Sequence, residues 1–185
     1  MGSIREHLFL LVVPLLLATL LARLPEPITD PEAYAIYATV LAERWPLEGQ
    51  AILLQQETTI EQAGTPPVPE GDLEWQAARD AFFRENASGR VLQPLFGSSL
   101  AYRLITKAEI DADDARLAVK YPGIWQRRPE SLEYAAVSVV GFNAANTKAI
   151  VYVRFRSRGG AHYLEKRDGA WVRARLPFAV VGWVA

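Results

Sequence analysis

The C-terminal part of the chain carries residues whose types could hold an anion. Arginines alternate in the segments "RFR" and "RAR", and a histidine and a tryptophan lie between them. Guanidinium groups suit carboxylates and phosphates, which they bind through paired hydrogen bonds. The candidate ligand-binding residues are Arg154, Arg156, His162, Trp171, Arg173 and Arg175.

The same arginines have a plainer interpretation as a solvated or internally paired face of a sheet. Residues 24–120 contain 8 basic and 16 acidic side chains, whereas residues 121–185 contain 10 and 4. The acidic part of the chain can therefore pair with the basic part, and exposed arginines by themselves identify no ligand. Both interpretations stay open at this point.

Other residue types give no arrangement for catalysis. The chain has no cysteine, which removes thiolate chemistry, and His162 lacks an identified nucleophile or orienting carboxylate. Ser98 and Ser99 lack the nucleophile-elbow motif, and the acidic run at 111–114 lacks the glycine and final glutamate of a calcium loop. Glu57 is a single carboxylate at a strand end. We expect no catalytic residue, no metal and no cofactor.

Composition and charge are those of a folded domain. Half of the 185 residues are hydrophobic, and 20 basic side chains balance 21 acidic ones. One domain over residues 30–185 is the expected organisation. The slightly acidic net charge argues against a nucleic-acid partner.

The N-terminus, "MGSIREHLFLLVVPLLLATLLARLPEP", has an arginine in a polar head and then an apolar run from Leu8 to Leu21. This pattern is typical of a secretory signal peptide, here over residues 1–22, and the run is shorter than the about 20 residues that a membrane span needs. The sequence predicts export to the periplasm or the medium, with cleavage near Ala22. The alternative is an uncleaved segment that anchors the protein in a membrane.

The elements that must position these residues begin with helices. "TDPEAYAIYATVLAERW" places Asp30 as N-cap before apolar residues at helical spacing, and residues 73–86 form a second amphipathic pattern. A shorter helix is predicted to begin at an Asp111 cap and to end at Tyr121. Short strands are predicted after Gln50 and around residues 100–105.

From Leu132 onward the pattern predicts a β-meander. The pair Asp168-Gly169 indicates a two-residue type I′ turn. In "SRGG" a three-residue loop, Arg158 to Gly160, keeps Arg154 off the apolar face, because burying unpaired charge is costly. This register collects the candidate ligand-binding residues on one basic face.

These elements predict an α+β fold, in which amphipathic helices pack on one face of an antiparallel C-terminal meander. The segments "VGFNAANTKAIVYV" and "GGAHYLEKRDGAWV" resemble a group of exported bacterial proteins of unknown function. The resemblance implies no activity that could be transferred to these positions. The strand, Asp-Gly turn and tryptophan are also similar to the last strands of ketosteroid-isomerase-like cones, which are the alternative architecture.

The functional hypothesis is an exported, non-catalytic binding or interaction module for an anionic or peptide-like partner, with a membrane involved only if the N-terminal segment is retained. It predicts an open basic face. The alternative is a small enzyme or ligand carrier with an enclosed pocket between sheet and helices, into which Glu57, Tyr34 or Tyr102 would point.

Overall fold

A computed structural model describes residues 25–44, 51–59, 66–97, 100–123, 130–155, 158–176 and 182–184. The predicted signal segment and the candidate Arg156 lie outside these ranges. Within them, no helix has the length and apolar character needed to cross a membrane.

The described residues form the helices α1 (Pro31–Arg44), α2 (Leu73–Glu85) and α3 (Lys107–Lys120). The first two agree with the predicted spans. The Asp30 carboxylate accepts a hydrogen bond from the Glu32 backbone N–H at 2.9 Å, as expected of an N-terminal cap. Asp72 caps α2 in the same way, because its side chain accepts from two backbone N–H groups of the first turn.

The predicted start of α3 is wrong. The helix begins at Lys107, where Thr106 is the cap and Glu109 reaches back to the Thr106 backbone N–H, which completes a capping box. Asp111 lies inside the helix and pairs with Lys107 at 2.7 Å. The Thr106–Glu109 pair satisfies two backbone N–H donors, so a helix start at Lys107 is favoured over a start at Asp111. The predicted end at Tyr121 is confirmed.

The strands are β1 (Glu26–Pro27), β2 (Ile52–Gln55), β3 (Arg90–Val91), β4 (Tyr102–Ile105), β5 (Tyr134–Val137), β6 (Gly141–Phe142), β7 (Lys148–Phe155), β8 (Arg158–Arg167), β9 (Ala170–Arg173) and β10 (Gly182–Val184). Most of them belong to one mixed sheet, in the order β10-β8-β7-β5-β2-β4, with β6 paired to β7 and β9 to β8. The pairs β2–β4 and β2–β5 are parallel, and the strands from β5 onward pair antiparallel. β1 and β3 form a separate parallel pair. The predicted α+β fold with a C-terminal antiparallel meander is confirmed.

Buried side chains cover both faces of the central strand β7. Val151 and Val153 belong to the cluster that contains the buried residues of α1, whereas Ile150 and Tyr152 belong to the cluster of α2. Since neighbouring residues of a strand point to opposite faces, α1 and α2 lie on opposite sides of the sheet rather than sharing one face. Buried side chains therefore cover the central strands on both faces, and the cone stays a sequence-based alternative.

The connection between β7 and β8 differs from the prediction. Phe155 lies opposite Arg158 and Arg154 opposite Gly159, so two residues join the strands, and the three-residue loop from Arg158 to Gly160 is wrong. A Cβ atom on Gly159 would lie 2.1 Å from the Tyr152 hydroxyl oxygen. This glycine is a strand residue that leaves room for the tyrosine. The Asp168-Gly169 turn is confirmed, with φ values of 51° and 80°.

The strand β5 is interrupted at Ser138, where α1 contacts the sheet. The Ser138 carbonyl accepts from the Tyr37 hydroxyl at 2.9 Å, and the Ser138 hydroxyl accepts from the Tyr152 backbone N–H at 2.8 Å. The Ser138 hydroxyl thus takes the place of the Ser138 carbonyl as acceptor in the sheet, because that carbonyl is bonded to Tyr37 of α1. This exchange allows the chain to leave β5 and to resume pairing with β7 at Gly141.

Candidate functional site

Two acidic residues of α1 hold the predicted ligand-binding residues of the β8–β9 hairpin. Lys166 Nζ donates to Glu32 Oε1 at 2.8 Å, and the Trp171 indole N–H donates to the other Glu32 carboxylate oxygen. These hydrogen bonds from Lys166 and Trp171 hold the pKa of Glu32 below its usual value. We call this set of contacts, together with the pair made by Glu43 below, the α1–hairpin seam.

The second half of the seam connects Glu43, Arg173 and His162. Arg173 lies 3.2 Å from the Glu43 carboxylate, and its Nη2 atom lies 2.5 Å from His162 Nδ1. Because a guanidinium can donate but cannot accept, Nδ1 of His162 is the acceptor in this contact. His162 is 7% exposed, so it is oriented inside the protein by this contact rather than presented to solvent.

The single basic face predicted from the sequence does not form. His162, Trp171 and Arg173 lie together on the α1 side, whereas Arg154 follows Tyr152 on the side of α2 and is half-buried. Arg175 is exposed beyond the end of β9. The connection between β7 and β8 has two residues instead of the predicted three. A change of one residue in loop length moves every side chain of a strand to the other face, so the candidate ligand-binding residues are divided between the two faces. Anion binding by these residues stays a prediction.

The residues named for an enclosed pocket are engaged in other contacts. Glu57 accepts a hydrogen bond from the Lys107 backbone N–H at 3.0 Å, so its carboxylate satisfies the first turn of α3. The Tyr102 ring lies 4.7 Å from the Phe96 ring, and Phe96 lies 4.9 Å from Tyr34. Both tyrosines therefore contact the ring of Phe96.

An open groove lies beside α1. Its volume is about 440 Å³. Along α1 the lining residues follow helical spacing, and the segment after β3 supplies the opposite wall with Leu95, which is 51% exposed. We call this surface the α1 groove, and its lining residues are Thr29, Pro31, Tyr34, Ala35, Ala38, Leu95 and Gly97.

Tyr34 contributes an aromatic ring to the α1 groove, while its hydroxyl is already used. The hydroxyl donates to the Ile28 carbonyl at 3.1 Å and accepts from the Gln93 backbone N–H at 2.6 Å. Burial raises the pKa of this phenol. The groove is consequently a mainly apolar surface, suited to contact with apolar groups rather than to proton transfer.

The described residues contain no group of three or more histidine, aspartate or glutamate side chains placed to hold a metal ion. The carboxylates of Glu57 and Glu109 bond to backbone N–H groups at the start of α3. Those of Glu32 and Glu43 form ion pairs with the hairpin. Nothing in this arrangement favours a particular reaction.

Comparison of the chain with protein-family models, with curated proteins and with solved structures gives no match. The resemblance to exported bacterial proteins therefore stays a sequence-based hypothesis.

Sequence reasoning named Tyr34 for a pocket but missed the other residues of the α1 groove. Ala35 and Ala38 follow the buried Tyr34 on α1, where small side chains leave a shallow surface, but alanine is common in helices and gives no signal of its own. Leu95 follows Pro94, and a proline at this place indicates a loop but gives no sign that the loop contacts α1. The contact between this loop and α1 spans about sixty residues of chain, and no local pattern predicts it.

Proposed function

We propose that the protein is an exported, non-catalytic binding module that holds an apolar part of a peptide-like partner in the α1 groove. The observation that supports this proposal is the groove itself, an open and mainly apolar surface with exposed Leu95 on its rim. Exposed apolar surface that is rimmed by polar residues is typical of interaction sites. Small side chains at Ala35, Ala38 and Gly97 let a partner backbone approach closely.

Charge supports a peptide-like partner over an anionic one. Lys166 and Arg173, the two cations of the seam, already pair with Glu32 and Glu43. An anion would have to displace these carboxylates, which offsets much of its attraction. The α1 groove carries no such competing charge.

Selection of random linear heptapeptides displayed on phage against the purified protein tests the proposal. We expect enriched peptides with apolar residues and at least an about 10-fold loss of affinity in Ala35→Trp, because the indole fills the groove. Ala42→Trp is the matched control, since Ala42 is exposed on α1 and does not line the groove. Equal losses in both variants, or no enriched peptide, would contradict the proposal.

A small apolar ligand is the competing occupant, because the groove volume lies in the range of small-molecule sites. Binding of the fluorescent probe anilinonaphthalene sulfonate distinguishes it. Probe binding that is lost in Ala35→Trp, without any enriched peptide, would indicate a ligand carrier.

Export is tested separately by N-terminal sequencing of the protein recovered outside the cytoplasm. We expect a mature N-terminus close to residue 23. An intact residue 1 on membrane-bound protein would instead support the anchor.

A further inference from the structure

The strand β4 forms one edge of the sheet within the described residues, since its partner in the strand order is β2 alone. The Ala101 carbonyl accepts from the Ile52 N–H at 2.9 Å, and the Ile105 carbonyl accepts from the Gln56 N–H at 2.8 Å. In a parallel ladder, alternate residues turn their peptide groups to the same neighbour. The peptide groups of Tyr102 and Leu104 therefore point away from β2.

Side chains along this edge differ between the two faces. Tyr102 and Leu104 are half-buried against the cluster of α1, whereas the Arg103 side chain on the other face is 54% exposed. The Arg103 guanidinium lies 2.9 Å from Glu109, in an exposed pair of the kind that contributes little to stability. The contact uses Nη1 of Arg103, and the other N–H donors of the guanidinium can serve a second carboxylate.

The edge and the α1 groove are connected by aromatic rings. Phe96 contacts Tyr34 in the groove and Tyr102 on β4, with ring centroids 4.9 Å and 4.7 Å apart. Phe96 therefore joins the α1 groove to the β4 edge through ring contacts. The edge ends at Thr106, whose backbone N–H already donates to Glu109 at 2.8 Å.

A second copy of the chain is a poor partner for this edge. If two β4 edges paired antiparallel about their centres, Arg103 would lie directly opposite Arg103, and like charges at that position are destabilising. A partner strand with an acidic residue opposite Arg103 would instead place a negative charge next to the Arg103 guanidinium.

From these observations we propose that β4 binds an extended peptide by strand addition, and that the peptide carries an acidic residue between two apolar ones. Its backbone pairs with the outward peptide groups of Tyr102 and Leu104, its apolar side chains continue the face of those residues, and its carboxylate faces Arg103. This inference rests on the proposed function, because it describes how the peptide-like partner is held.

The test uses peptides enriched on the unmodified protein, resynthesised with one N-methyl amide at each position in turn. N-methylation removes a backbone donor and leaves the protein unchanged. Strand addition predicts a period of two, in which losses of about 10-fold alternate with small effects, since only every second peptide group faces β4. Amide hydrogen exchange at Tyr102 and Leu104 should slow when the peptide binds.

Charge reversal tests the acidic position. Arg103→Glu should weaken the acidic peptide by about 10-fold, and a lysine at its acidic position should restore the binding to this variant. Arg84→Glu is the control, because Arg84 is an exposed arginine of α2 in a similar pair with Glu85.

The outcomes separate the two proposals. Enriched peptides that are lost in Ala35→Trp but show no period of two would overturn strand addition alone, and so would equal effects of Arg103→Glu and Arg84→Glu. If the selection enriches no peptide, the proposed function and this inference both fail.

Discussion

Glu32 illustrates how a single side chain ties the two differently charged parts of the chain together. It lies in the first turn of α1, where a carboxylate interacts favourably with the helix dipole. In the structure it also accepts hydrogen bonds from Lys166 and Trp171, which are more than 130 residues away. Because Glu32 occupies Lys166 and Trp171, the basic residues of the hairpin do not form a continuous site for an anion.

Replacement of Glu32 by glutamine should lower the free energy of unfolding by about 0.5–1 kcal/mol at pH 7, because the pair with Lys166 is partly exposed and screened. The folded pKa of Glu32 lies below that of the unfolded chain, so its contribution is present above the unfolded pKa of about 4.3 and is lost as the pH falls through the folded pKa. Urea unfolding of the protein and of Glu32→Gln should therefore converge between about pH 5 and pH 3.

The control for this experiment is Glu70→Gln, at an exposed turn residue before α2. A stability difference for Glu32→Gln that does not change with pH would contradict the assignment of the effect to the charge.

At the scale of elements, α2 and the strand β6 approach each other closely at one glycine. A Cβ atom on Gly141 would lie 2.3 Å from the backbone nitrogen and 2.4 Å from the Cα atom of Phe82. These are backbone atoms of a helix, so no side-chain rotation can relieve the contact. Asn86 strengthens the same junction, since its side-chain amide bonds to both the N–H and the carbonyl of Val139.

We expect Gly141→Ala to destabilise the protein by about 3 kcal/mol, the upper end of the usual cost of overpacking. Chemical unfolding followed by circular dichroism measures the change. Gly97→Ala is the matched control, because a Cβ atom there meets nothing within 4 Å. If the two variants are equally stable, α2 does not dock on β6 as described.

At the scale of the whole molecule, the charge separation between the N-terminal and C-terminal parts of the sequence is partly neutralised across the α1–hairpin seam. The pairs Glu32–Lys166 and Glu43–Arg173 each join an acidic residue of α1 to a basic residue of the hairpin. Exposed pairs of this kind weaken as salt rises, since the Debye length falls to about 3 Å at 1 M.

The double variant Glu32→Gln/Glu43→Gln should therefore lose less stability than the unmodified protein when salt is raised from low concentration to 1 M. The expected difference is about 0.5–1 kcal/mol, read from urea unfolding in sodium chloride. Asp111→Asn, which breaks a pair within α3 only, is the control. Identical salt dependence in the double variant and the unmodified protein would show that the seam adds no electrostatic stability.

Local features were predictable because their causes are local. Asp30 begins α1 since its side chain caps the Glu32 N–H, and Asp168-Gly169 makes its turn since both residues adopt positive φ. The α+β class and the C-terminal meander followed from periodicity. The predicted Asp111 cap failed where Thr106 and Glu109 formed a better local solution.

Only the tertiary structure decided the arrangement of faces. The register prediction assumed that one face of the meander is exposed to solvent, but α2 covers the second face of β7. The two-residue connection after Phe155 and the close approach of Gly159 to Tyr152 follow from this packing. The parallel pairing of β2 with β4 and β5 joins segments far apart in the chain, and the α1 groove depends on a loop that reaches α1. Such contacts are determined by packing among distant segments, which no short stretch of sequence encodes.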